Sequence, residues 1–342
     1  MPKVSRQIII NYIVPLILLI GVSSVLFYRA AEISSGHKDN AYAFNSFSKG
    51  FPTYYNFKIA WKPRILSNAL AAFTIKVGNS IIRRTEIPFI GNFLELSVAL
   101  WTSAWFFMTC ILFILVARKN SVFYILGIFA ALSFGYMPRL ATRIYPWDMP
   151  AMFFYCVFLI LFLRGKMKWL FVLLPLAMGF KETALLLSLA FLFTDESWKK
   201  RLTNAAIAAG LCIIVKIGID IFVRAPLPFL TMETGGNSLG LSYFVVNLNN
   251  LLAVHPLLIN AGTLLIFLLL PIYGRKMLAL KVIAIFFILG NFAFGVIYEY
   301  RIWFEMIPFA LYGMEVALNG SSSLVRKEAA VISHPEINPT LV

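Results

Sequence analysis

Hydrophobic runs alternate with short polar connectors from Ile8 to Leu318. The hydrocarbon core of a bilayer is about 30 Å thick, and a helix needs roughly 20 apolar residues to cross it. The first run, Ile8–Phe27, meets that length and follows Lys3 and Arg6. A secretory leader has a shorter apolar stretch and a small-residue cleavage site, which is not evident here, so the run predicts a retained anchor with a cytoplasmic N-terminus. Phe93–Ala117, Val122–Met137, Met149–Leu163, Leu202–Val223, Leu257–Tyr273, Val282–Ile297 and Ile302–Leu318 predict further spans.

Trp169–Phe193 is different, because Lys181-Glu182 interrupts the apolar run. A single helix would bury the charged pair near its middle, which is costly without partners. A hairpin of two short helices would set the pair at a turn, and only the hairpin returns Lys199, Lys200 and Arg201 to the side of the other short basic connectors. The hairpin is the preferred expectation. Arms this short imply a turn held in a water-filled or protein-lined recess.

Charge then orients the chain. Arg118-Lys119, Arg164 with Lys166 and Lys168, Lys199-Lys200-Arg201 and Arg275-Lys276 all fall on one side, and nearly every acidic or mixed cluster falls on the other. Short basic loops stay cytoplasmic. The expectation is an all-α integral membrane protein of about ten transmembrane helices with both termini inside, in a bacterial cytoplasmic membrane and with its active face extracytoplasmic. Residues 1–318 form a single polytopic membrane domain and 319–342 an unfolded cytoplasmic tail. Within the domain, 28–92 is a long first extracytoplasmic loop and 225–256 a second extracytoplasmic segment. In the first loop, Ile65–Ile82 is broken by Asn68, Lys76 and Asn79, which predicts an interfacial helix rather than a span.

Composition excludes other classes. With 342 residues, 60% hydrophobic content and a mean hydropathy of +0.82, the chain carries more apolar surface than a soluble core can hide. A net charge of +15 is met by loops against anionic headgroups, so no nucleic-acid partner is expected. Cys110, Cys156 and Cys212 lie in apolar runs without CxxC spacing, which predicts neither a disulfide framework nor a zinc site. No cofactor or metal is indicated.

The extracytoplasmic side collects the chemistry. It holds Asp39, Asp148, Glu182 and Glu299 among Arg64, Arg139, Arg143, Lys181 and Arg301, with His37 and His255 nearby in the polar segments. Guanidinium groups bind phosphate bidentately while a neighbouring carboxylate accepts a proton, so the inventory suits a phosphate- or pyrophosphate-bearing substrate. Arg64, Arg139, Arg143 and Lys181 are the candidate phosphate contacts, and Asp148, Glu182 and Glu299 the additional acid or base groups. Simpler roles stay open: a solvated Asp39, a self-neutralising Lys181-Glu182 pair, Arg139 and Arg143 as snorkelling anchors, and Glu299 paired with Arg301.

Four patches carry a resemblance. Asp39, Tyr145-Pro146-Trp147-Asp148-Met149-Pro150, Gly179-Phe180-Lys181-Glu182-Thr183-Ala184, and Glu299-Tyr300-Arg301 with Pro308 together resemble membrane glycosyltransferases of the GT-C fold, in the protein-mannosyltransferase-like branch. The resemblance implies transfer of a sugar from a polyprenyl-phosphate donor to a glycan, lipid or protein acceptor, with inversion. It implies Asp39 as general base and Arg301 as the basic residue before the last helix. The chain departs from the family in lacking an acidic neighbour to Asp39 and a soluble domain. The rival readings are a secondary transporter or lipid-linked-sugar flippase, for which Lys216 and Asp220 would line a path, a polysaccharide polymerase, and a non-catalytic assembly subunit.

Overall fold

The computed structural model describes residues 7–35, 64–82, 93–117, 120–135, 145–222, 245, 247–248, 262, 264–272, 274–294 and 300–319. A π-helical stretch, Ile9–Ile13, leads into α1 (Val14–Ser35). Then come α2 (Ile65–Ile82), α3 (Phe93–Ala117), α4 (Ser121–Gly135), α5 (Asp148–Leu163) and α6 (Met167–Met178). A long 3-10 helix (Glu182–Phe193), α7 (Trp198–Phe222), α8 (Gly274–Phe294), a short 3-10 helix (Tyr300–Met306) and α9 (Ile307–Asn319) complete the order. Among the described residues no strand forms.

Among the described residues four helical segments, Ile9–Ile33, Glu95–Ala117, Trp198–Phe222 and Gly274–Ala293, are long and apolar enough to cross a membrane. The other apolar helices are shorter, and the most deeply placed is α5, almost all of which is buried. Helix α5 packs against α3, α6, α9 and both 3-10 helices. Phe158 stacks on Phe162 and meets Phe309 of α9, so the centre is filled by aromatic side chains. By contrast α7 turns Ile214, Ile221 and Phe222 outward, an apolar surface suited to lipid tails rather than water.

Several boundaries differ from the sequence reading. Helix α1 runs on to Ser35, past Phe27, because Ala30, Ala31 and Ile33 are buried while Arg29 and Glu32 pair on the exposed side. Helix α8 starts at Gly274, not Val282, and carries Arg275, Lys276 and Lys281. Lys281 is tolerated inside because its ammonium donates to the carbonyls of Leu268 and Leu270, the open end of the preceding helical stretch. The Ile65–Ile82 stretch is a helix as expected, and its Ala71, Ala72 and Ile75 face is buried in a helix that packs on α3.

The Trp169–Phe193 run is a hairpin. Helix α6 ends at Met178, and Lys181, extended at φ −157 and ψ 138, starts the return arm. Gly179 lies at the turn because Leu66 of α2 packs onto it, and an added Cβ would sit 2.4 Å from Leu66 Cδ1. The Leu66 N–H donates to the Gly179 carbonyl at 3.2 Å, tying α2 to the turn. Twelve α-helical residues rise about 18 Å and twelve 3-10 residues about 24 Å, so neither arm matches a core about 30 Å thick.

Candidate functional site

The chain returns its polar groups to two ends of the bundle. At one end meet the start of α2, the start of α5, the hairpin turn and the short 3-10 helix. Each is shaped locally. The Tyr145-Pro146-Trp147 turn opens α5, with the Trp101 indole donating to the Pro146 carbonyl at 2.8 Å and the Tyr145 N–H donating to Asp148 Oδ2 at 3.3 Å. Tyr145 and Trp147 stack at 4.8 Å between centroids. Asp148 thus occupies the first turn of α5, where a carboxylate is favoured by the helix dipole.

Lys181 joins three of these pieces. Its ammonium pairs with Glu305 of the short 3-10 helix and lies 3.7 Å from Asp148 Oδ1. All three side chains are buried. The Thr183 hydroxyl donates to Glu305, and the Tyr155 hydroxyl donates to the Thr183 carbonyl at 2.9 Å. In a medium of low dielectric such charges persist only when paired, and each of these three has an oppositely charged neighbour. The sequence reading gives Lys181 to phosphate; in the structure its ammonium lies beside two carboxylates and ties the hairpin turn to α5 and the short 3-10 helix.

Glu182, the next residue, faces elsewhere. Arg64 Nε donates to Glu182 Oε2 at 3.1 Å, and the guanidinium carbon lies 4.4 Å from the Trp147 ring centroid. The Arg64 side chain is 19% exposed and Glu182 33%, so this pair borders the buried cluster rather than sitting inside it. Among the described residues the terminal nitrogens of Arg64 have no hydrogen-bond partner. An arginine fixed through Nε and one ring face presents its other edge as a fork of donors, the geometry suited to an anion. Lys216 and Asp220 of α7 pair at 2.6 Å.

Arg64, Asp148, Lys181 and Glu182 are therefore brought to one end by direct contacts. Arg301 lies in the short 3-10 helix one turn before Glu305, with its side chain outside the described part. Asp39, Arg139, Arg143, Glu299, His37 and His255 lie outside the described residues, as does 225–256 apart from Val245, Asn247 and Leu248. Sequence reasoning missed Glu305 and Thr183. Glu305 had a signal: it is a carboxylate within the apolar run Ile302–Leu318, and such a group requires a partner. Glu315 in the same run is bonded by Tyr124 and Asn120, well away from Lys181 along α9. Among the described residues no three His, Cys, Asp or Glu side chains converge to hold a metal ion.

Comparison with protein-family models, curated proteins and solved structures finds no match.

Proposed function

We propose that this chain is a membrane glycosyltransferase that moves a sugar from a polyprenyl-phosphate donor to an acceptor hydroxyl at the extracytoplasmic face. The observation that carries the reading is Arg64, a guanidinium held by Glu182 and Trp147 with its donor edge uncommitted among the described residues, beside a buried set of charges at one end of an apolar bundle. Two of the patches that resemble GT-C enzymes, Tyr145–Pro150 and Gly179–Ala184, meet there through Lys181 and Asp148. In this reading the shorter apolar helices complete about ten crossings with both termini cytoplasmic, and α2 lies in a long first extracytoplasmic loop.

The chemistry is an inverting displacement. Asp39 removes the acceptor hydroxyl proton, the acceptor oxygen attacks the anomeric carbon, and the bond from that carbon to the phosphate oxygen breaks. The leaving polyprenyl phosphate gains negative charge, which Arg64, with Arg139, Arg143 and Arg301, stabilises. Lys181 keeps the hairpin turn locked to α5 and the short 3-10 helix, so that Glu182 aims Arg64. A transport path would need polar groups continuing through the bundle, whereas Phe158, Phe162 and Phe309 fill its centre.

The test is transfer in proteoliposomes from a short-chain polyprenyl-phosphate sugar. Asp39→Asn should lower turnover by about 10²–10⁴-fold with donor binding intact. Arg64→Ala should weaken donor binding by about tenfold or more, the loss expected for a charge-assisted contact. Unchanged turnover in the first variant removes Asp39 from the mechanism, and unchanged binding in the second removes the phosphate role of Arg64.

A further inference from the structure

The opposite end of the bundle is built on another plan. There the α5–α6 turn, the turn entering α7 and the start of α8 meet, as Lys276 donating to the Leu163 carbonyl at 2.7 Å and Arg275 pairing with Asp195 at 3.1 Å show. Lys166 and Lys168 flank the start of α6, after Gly165, which takes the left-handed φ of +67 that closes the turn. Lys199 stands in the first turn of α7. All three lysines are exposed, and among the described residues none has an ion-pair partner, unlike Lys200, which pairs with Glu196 at 2.8 Å.

Beside these cations stand two large aromatic side chains that a water-facing surface would not favour. Trp169 and Trp198 are each 63% exposed. Further along the same helices Val172, Leu176 and Leu202 are also exposed, and Trp169, Val172 and Leu176 recur at helical spacing to form one outward stripe on α6. Helices α6 and α7 pack together, so their starts share one region of the surface. Along α6 the order runs from cation (Lys166, Lys168) to amphipathic ring (Trp169) to aliphatic side chain (Val172, Leu176), and on α7 Trp198 and Lys199 together precede Leu202. A leaflet presents the complementary order: phosphate, glycerol boundary, acyl chain.

We propose that this collar is a binding surface for anionic phospholipid, with Lys166, Lys168 and Lys199 taking headgroup phosphates, Trp169 and Trp198 lying at glycerol depth, and the α6 stripe against the tails. The surface is independent of glycosyl transfer and lies at the other end of the molecule. Each exposed cation beside an anionic leaflet strengthens association by roughly fivefold, so three of them enrich such lipids around the collar.

The test uses the full chain reconstituted in phosphatidylcholine vesicles containing a minor fraction of phosphatidylglycerol, with bromine quencher on one lipid or the other at equal mole fraction. The Trp169 and Trp198 contribution to fluorescence is obtained by difference from Trp169→Phe/Trp198→Phe. Brominated phosphatidylglycerol should quench it several-fold more than brominated phosphatidylcholine. The preference should vanish in Lys166→Gln/Lys168→Gln/Lys199→Gln, and in the wild type at about 1 M salt, where the screening length is about 3 Å. Equal quenching by the two lipids in the wild type, or a preference that survives both the triple variant and high salt, overturns the proposal.

Discussion

The two ends of this helical bundle hold their charges in opposite ways. At the hairpin end the pairs are buried or partly buried and join segments far apart in the chain: Lys181 with Asp148 and Glu305 in the interior, and Arg64 with Glu182 across 118 positions at its border. At the basic end they are exposed: Lys200 with Glu196 one turn away, and Arg275 with Asp195 across 80 positions, whose side chains are 61% and 91% exposed. The difference is one of solvent. Exposed ions keep their hydration and gain little from pairing, whereas enclosed ions have lost it and depend on one another. One end can therefore serve as a solvated rim, and the other as a fixed constellation whose geometry survives without water.

The largest test of that contrast is Lys181→Met. It leaves Asp148 and Glu305 enclosed without the cation they share and should destabilise the fold by about 3–5 kcal/mol, read from unfolding in mild detergent. Adding Glu305→Met should recover part of the loss, since an uncompensated buried charge costs more than an absent pair. A single variant as stable as the wild type would mean that water reaches the cluster.

Glu182→Gln probes the border between the two regimes. With the pair partly exposed, stability should change by about 1 kcal/mol or less. Donor affinity should nevertheless fall by about tenfold, because Arg64 loses the carboxylate that orients it. Equal donor affinity in the two proteins would separate Glu182 from the anion site. The smallest effect belongs to the rim: Arg275→Ala should shift stability by about 0.5 kcal/mol or less, and a loss above about 2 kcal/mol would show that the rim too is held by its ion pairs.

How much of this was legible depended on how local each cause is. The bounds of α3 and of the Ile65–Ile82 helix could be read directly, and the hairpin was betrayed by two charges in the middle of an apolar run. Helix ends were less legible. The start of α8 hid behind Arg275, Lys276 and Lys281, which read as a connector until Lys281 is seen donating to carbonyls of another segment. The run Ile302–Leu318 read as a plain span, and nothing adjacent to Glu305 announced Lys181 as its partner. Short apolar helices such as α5 carry the same pattern whether they face lipid or protein, so burial could not be assigned from periodicity.

Hydrophobic patterning and the placement of lysines and arginines were enough to establish helices, apolar surface and the separation of basic from mixed connectors, because these follow from each residue's own hydration and the rise of a helix. Which charge meets which was decided only in three dimensions. Lys181 and Glu182 are neighbours in sequence, yet one turns into the core toward Asp148 and Glu305 and the other toward Arg64, since the extended backbone at Lys181 sends consecutive side chains to opposite sides.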